Sequence, residues 1–257
     1  MTTGADRALL EAIGADLQTH VIVVLATALP ASLDPGAIEI LGAPLGDVDR
    51  ARYSEIQTGR GATSFLVTRS IVRTVLGHLQ DRPAEEVELL TSERGKPGLA
   101  PSSAPHLYFN TSHSRTQAMV ALSRSGDVGV DVEDVGAIDE RVVRRSLSVG
   151  ELERLSEMNA EDRARAFFQL WTVKEACAKA TGVGIGVGMR KVHASLESSG
   201  RWGAYAWESI DLGPGVAAAV AVRSPGTDGG RISVALYSNA LHALFGIDPG
   251  FAHQGAG

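Results

Sequence analysis

The sequence predicts an α+β fold in two similar halves, residues 1–125 and 126–257, on three observations. Each half contains one prominent amphipathic helix, at residues 62–80 and 163–181. Each also contains several short β-branched or alternating runs that read as strands. A polar, glycine-containing link at 123–127 lies between them. No residue-by-residue repeat joins the halves, so a duplication would be one of element order alone.

Taken in order, residues 8–17 suit a short helix and 20–25 a buried strand. Residues 30–44 are rich in proline and glycine and are expected to be loop. The mixed charges of 46–57 suit a short helix, broken by Gly59-Arg60-Gly61. On the 62–80 helix, Phe65, Leu66, Ile71, Val72, Val75, Leu76 and Leu79 form the apolar side, and Pro83 stops it. Arg60, Arg69 and Arg73 lie in or just before this helix; pairing with acids and binding of phosphate are both open readings. Residues 87–90 read as a strand and 92–97 as a turn, from which Lys96 can be aimed at an anion. Strands at 107–110 and 118–122 flank the polar cluster Thr111-Ser112-His113-Ser114.

The second half opens with Gly129-Val130-Asp131-Val132-Glu133. A period of two buries Val128, Val130 and Val132 and sets Asp131 and Glu133 side by side on the opposite face. Residues 139–146 read as a helix bearing Arg141, Arg144 and Arg145. Ser148, with Glu151 three residues later, has the spacing of a capping box before a helix at 151–158. Residues 159–162 connect to the long helix at 163–181. There Trp171, Glu175 and Lys179 share one face by their spacing of four, with Lys174 beside them. Phe167, Leu170, Val173, Ala176, Cys177 and Ala180 form the apolar stripe. Glycines at 182, 184, 186 and 188 end the helix, and strands are expected at 191–196, 204–211, 216–222 and 232–237. The tail from about residue 249 reads as disordered.

Asp131, Glu133 and Glu175 can converge on one divalent cation, because carboxylates with water and phosphate oxygens are the usual ligands of Mg²⁺. Mn²⁺ would suit the same donors. The chain of 257 residues carries a formal net charge of −6, which argues against a broad nucleic-acid footprint. The apolar run at 21–29 is too short to span a bilayer. The first ten residues lack a basic segment followed by an apolar one, so the expected location is the cytoplasm. The single cysteine, Cys177, precludes an intramolecular disulfide and falls in the apolar stripe.

Asn110-x-Ser112-His113-Ser114, the Gly129–Glu133 run and Phe168-x-x-Trp171-Thr172-x-Lys174-Glu175-Ala176-x-x-Lys179 occur in order and at suitable spacing. Together with Gly95-Lys96-Pro97 and Ser148-x-x-Glu151, they resemble the 4′-phosphopantetheinyl transferases of the large, surfactin-synthetase-activating type. The resemblance covers roughly residues 60–188. It implies a pseudo-twofold arrangement of the two halves, with coenzyme A in the cleft between them. The implied reaction moves the phosphopantetheine arm of coenzyme A to a serine of an apo acyl or peptidyl carrier protein and releases adenosine 3′,5′-bisphosphate. It implies Asp131, Glu133 and Glu175 as metal ligands, Lys179 at the pyrophosphate, and Lys96, Ser112 and His113 at the nucleotide phosphates. Arg52, Thr68 and Arg69 fall near the adenine end or its 3′-phosphate. The sequence departs from well-known members at Glu55, where they carry a lysine. Glu175 or Glu151 would take the serine proton, with Lys179 and His113 as further donors to the reacting phosphates. Glu175 is preferred, because Glu151 has a capping explanation. The resemblance also implies a monomer, and Arg141, Arg144 and Arg145 are candidates for docking an acidic carrier. Two other readings suit the same residues: a coenzyme A-binding module without catalysis, and a Mg²⁺-dependent pyrophosphohydrolase.

Overall fold

The alternating runs of the sequence pair into two four-stranded sheets. The computed structural model describes residues 4–56, 59–92, 95–100, 105, 107–182, 188–223 and 232–250. The chain opens with α1 (Gly4–Thr19), β1 (Ile22–Ala28), α2 (Pro35–Gly42), α3 (Asp47–Glu55) and the 20-residue α4 (Arg60–Leu79). A small hairpin, β2 (Leu89–Thr91) and β3 (Pro97–Leu99), leads to β4 (Tyr108–His113) and β5 (Gln117–Ser123). Then come β6 (Val128–Asp134), α5 (Glu140–Ser146), α6 (Val149–Ser156) and the 22-residue α7 (Ala160–Thr181). The chain continues through β7 (Ser199–Trp202), β8 (Tyr205–Ser209), β9 (Val216–Arg223), β10 (Val234–Tyr237) and α8 (Ala240–Phe245).

The first sheet has the order β10-β1-β5-β4, and the second β6-β9-β8-β7. Period-two alternation explains how they stack. Ile22, Val24, Met119 and Ala121 of the first sheet meet Val128, Val130, Val132, Val220 and Val222 of the second in one core. The opposite face of the first sheet, with Val23, Leu25, Val120 and Leu122, is covered by α1, α4 and α8 through Ile13, Leu66, Val75 and Leu241. The opposite face of the second is covered by α7, whose Val173, Ala176, Cys177 and Ala180 pack on Trp207, Ala219 and Ala221. Cys177 is buried there, and desolvation pushes its thiol up to about 12, so it is a small apolar residue rather than a nucleophile.

Several segments differ from the sequence expectation. Residues 30–44 contain α2 rather than loop alone: Pro35 starts the helix, where its missing N–H costs nothing, and the Asp34 side chain accepts from Ala37 N at 2.8 Å. Residues 191–196 are not a strand; a short 3₁₀ turn, Met189–Lys191, is followed by irregular chain. β7 and α8 were not anticipated, being only 4 and 6 residues long. β4 runs on through His113, so Thr111, Ser112 and His113 of the polar cluster are part of the strand and Ser114 follows it. Glu93, Arg94, the glycines at 184 and 186, and residues 251–257 lie outside the described residues. Relative to a division at residue 126, β10 and α8 come late in sequence but complete the first sheet, with β10 parallel to β1.

The approach of α7 to β6 depends on Gly129. A Cβ there would stand 2.1 Å from Ala176 O and 2.5 Å from Ala180 N. Gly129→Ala is therefore expected to lower unfolding free energy by about 3 kcal/mol or more, measured by urea denaturation, because helix backbone must move to admit one methyl group.

Candidate active site

The site lies where β4, β6 and α7 meet. β6 is an edge strand, so part of its backbone has no neighbouring strand to bond. Three side chains do that work instead. Asn110 Oδ1 accepts from Val130 N at 3.0 Å. Lys179 Nζ donates to Val130 O at 3.0 Å, and Lys96 Nζ donates to Val128 O at 3.2 Å. Lys96 also donates to Lys179 O at 2.8 Å, which ties the β2–β3 hairpin to the last turn of α7.

Asp131 is buried, at 4% exposure. Its Oδ1 accepts from Lys179 Nζ at 2.7 Å and from Ser112 Oγ at 2.9 Å. Lys179 Nζ also donates to Ser112 Oγ at 2.9 Å. Among the described residues, Asp131 Oδ2 and Glu175 Oε1 are buried without a hydrogen-bond partner. Desolvation pushes the Glu175 carboxyl up to about 7; Asp131 and Glu133 act in the same direction and Lys179 opposes them. Glu133 is raised too, first by desolvation and then by Asp131, while a hydrogen bond from Trp171 opposes the shift. Among the described residues, no three His, Cys, Asp or Glu side chains stand together as a metal cage. The three-carboxylate convergence expected from sequence is thus incomplete: Lys179 neutralises Asp131 and Trp171 holds Glu133. The donor chemistry still suits a hard cation, with two orphaned carboxylate oxygens among the described residues and two acids, Glu133 and Glu175, whose carboxyls are raised.

The other sequence candidates sort by position. Arg52, Thr68, Arg69 and His113 line one cleft of about 280 Å³ beside Phe65 and Phe109. The Arg52 and Arg69 guanidinium carbons stand 5.7 and 5.5 Å from the Phe65 ring centre, and Arg69 also meets Asp49 at 3.3 Å. His113 is open to solvent on one side. Desolvation by the cleft walls still lowers its imidazole below the usual range, helped by Lys179 and opposed by the Ser114 backbone and Asp131. Arg60 is exposed and donates to Arg115 O at 2.7 Å; it is not one of the residues lining that cleft, though the next residue, Gly61, is. Arg73 is committed to structure: it pairs with Asp49 and donates to Ala84 O and Val87 O. A groove of about 1050 Å³ between α1, α2, α4 and α8 contains none of the candidate residues.

Glu151 is engaged on both oxygens. The capping box forms, with Ser148 N donating to Oε2 at 2.7 Å. Lys174 Nζ meets the same oxygen at 2.9 Å, and Ala194 N donates to Oε1 at 3.2 Å. Lys174 is fully buried, and its ammonium also donates to Met189 O and Val192 O. Sequence reasoning set Lys174 beside the polar face and missed this role; a lysine one residue from Glu175 looks identical in sequence whether buried or solvated. It also passed over Asp134, which accepts from Ser114, Thr116 and the Arg115 amide and shapes the β4–β5 turn.

The raised Glu175 carboxyl has a measurable consequence in metal-free protein. The unfolded chain releases this proton near 4.5 and the folded chain near 7, so the residue lowers stability progressively as pH rises through that window. Glu175→Gln removes the effect. With chelator present, the variant is expected to be about 1–3 kcal/mol more stable than wild type near pH 8, with the difference disappearing near pH 4 in urea titrations. Equal stability at both pH values would overturn the assignment.

Comparison with known proteins places this geometry. The family model described as the 4′-phosphopantetheinyl transferase superfamily matches residues 127–220, which include β6, α7 and Glu151. The chain is 30% identical over 202 residues to the 4′-phosphopantetheinyl transferase HetI of a Nostoc species, covering 76% of this chain and 85% of HetI. It is 31% identical over 140 residues to the 4′-phosphopantetheinyl transferase psf-1 of Bacillus pumilus, covering 54% of this chain and 59% of psf-1. A candidate 4′-phosphopantetheinyl transferase of Synechocystis sp. is 30% identical over 150 residues, 58% of this chain and 61% of that protein. The chain thus spans about six-tenths of the latter two relatives. With the full β4–β6–α7 arrangement in hand and the likeness to HetI running over most of both proteins, the chain belongs to the 4′-phosphopantetheinyl transferase superfamily.

Proposed function

We propose that this protein transfers the 4′-phosphopantetheine group of coenzyme A to a serine of an apo acyl or peptidyl carrier protein, releasing adenosine 3′,5′-bisphosphate. The observation that supports it most is the Ser112–Lys179–Asp131–Glu175 cluster, buried except for Lys179, with two orphaned carboxylate oxygens among the described residues and a cleft lined by Arg52, Arg69 and His113. We assign the chain to the large, surfactin-synthetase-activating type. Its two halves are then related by a pseudo-twofold axis, coenzyme A lies between them, and the protein works as a cytoplasmic monomer. No helix among the described residues is long and apolar enough to cross a membrane.

Asp131 and Glu175, with Glu133, are the residues that would hold Mg²⁺ or Mn²⁺. Such an ion supplies charge neutralisation at the pyrophosphate. Arg52, Thr68 and Arg69 bind the adenine end and its 3′-phosphate. Glu55, at the exposed end of α3, adds no cation there, so the arginines supply the positive charge. Lys96, Ser112 and His113 flank the phosphates, and Arg60 extends the basic rim. In the chemical step the carrier serine Oγ attacks the β-phosphorus, the bond to the bridging oxygen breaks, and adenosine 3′,5′-bisphosphate leaves. The protein forms no covalent intermediate, so positioning and electrostatics do the work. Lys179 and His113 donate to the phosphate oxygens as charge grows there. Glu175 accepts the serine proton, directly or through water. Glu151 is the weaker candidate for that base, because both its oxygens already serve Ser148, Lys174 and Ala194.

Exposed Val142 and Val149 lie among Arg141, Arg144 and Arg145 on α5 and the start of α6. This mixed apolar and basic surface suits an acidic carrier protein.

Incubation with coenzyme A, Mg²⁺ and an apo carrier protein is expected to raise the carrier mass by one phosphopantetheine group, read by intact-protein mass spectrometry. Asp131→Ala is expected to reduce that transfer by about 10³-fold or more while leaving circular dichroism unchanged. Coenzyme A binding with no carrier modified would favour the binding-module reading. Hydrolysis of coenzyme A without carrier would favour a pyrophosphohydrolase.

A further inference from the structure

Lys179 cannot serve a phosphate in the arrangement described. An ammonium has three N–H donors. Here all three have acceptors: Asp131 Oδ1 at 2.7 Å, Ser112 Oγ at 2.9 Å and Val130 O at 3.0 Å. The same contact gives Asp131 its only ionic partner among the described residues. Meanwhile the second oxygen of Asp131 and one oxygen of Glu175 are buried without partners. The lysine is one-quarter exposed, so solvent reaches it and it has room to move outward. One positive charge is therefore shared among three acids, and the carboxylate it touches is the one best placed to receive a cation.

We propose that Lys179 is a tethered stand-in for the divalent ion. In the free protein its ammonium neutralises Asp131. When a cation binds at Asp131 and Glu175, Lys179 loses that partner and turns its freed donor to the substrate phosphates. The lysine thus delays metal binding until substrate phosphates offer it another partner. Metal and coenzyme A then bind with positive coupling, a reciprocal effect by linkage. Lys96 provides the contrast. It is a neighbouring lysine, but among the described residues its ammonium bonds main-chain oxygens, Val128 O and Lys179 O, and no carboxylate.

The inference rests on the functional reading but is tested apart from it, with Mn²⁺ alone, without coenzyme A or carrier. Mn²⁺ affinity is measured by electron paramagnetic resonance on wild type, Lys179→Met and Lys96→Met. Lys179→Met is expected to bind Mn²⁺ about tenfold or more tightly than wild type, and Lys96→Met to stay within about threefold. Metal-free Lys179→Met is also expected to melt below wild type, because Asp131 loses its partner, and to regain the difference on adding Mn²⁺. If Lys179→Met does not fold, Lys179→Gln takes its place with the same expectation. Unchanged or weaker Mn²⁺ binding by the Lys179 variant overturns the proposal. Equal tightening in both lysine variants also overturns it, since that would mean a general field effect rather than competition at Asp131. Failure of the wild-type protein to modify a carrier, with this Mn²⁺ pattern intact, would count against the transfer reading alone.

Discussion

The open edge of β6 is the constraint from which the site follows. A strand at a sheet edge leaves backbone donors and acceptors unmet, and burying them unpaired is costly. In this protein β6 lies at the edge of its sheet yet inside the molecule, between β4 and α7. Asn110, Lys179 and Lys96 supply the missing bonds to Val130 N, Val130 O and Val128 O. Those residues come from β4, α7 and the β2–β3 turn, so satisfying one strand edge brings three separate parts of the chain together. The two lysines arrive for backbone reasons, and the positive charge of Lys179 is what lets Asp131 sit buried beside it. Structure and chemistry share the same atoms here.

Charge balance on α7 shows how one helix can place similar residues in unlike environments. Lys174 and Lys179 are five residues apart. The first is sealed in the core, paired with Glu151 and bonded to two carbonyls of the 189–192 segment. The second reaches Asp131 with a quarter of its side chain exposed. Between them Glu175 lacks a partner for one oxygen, and desolvation raises its carboxyl into the neutral range. A buried pair that is complete holds elements together; a buried acid that is incomplete can still take a proton or a cation.

Much of this arrangement was legible in the residues. The valines of β6 pointed one way and its acids the other, as period two requires, and the opposite face was covered by the predicted apolar stripe of α7. The Ser148–Glu151 capping box formed as its spacing indicated. The misses share a cause. α2 was read as loop because proline and glycine outweighed the Asp34 cap in a segment of 8 residues. β7 and α8 are short elements stabilised by partners far away in sequence, which no local pattern encodes. β10 falls within the strand expected at 232–237, but its pairing with β1, across more than 200 residues of chain, is likewise encoded by no local pattern.

The α+β class, the two faces of β6, the polar face of α7 and the identity of the acids and lysines follow from residue order alone, because periodicity and spacing are local properties of the chain. Which partner each of those groups takes was settled by folding. Lys174 goes to Glu151 and Lys179 to Asp131, while Asp131 Oδ2 and Glu175 Oε1 go without. Burial and distance set those choices, and both arise from segments brought together by folding rather than from neighbours in the chain.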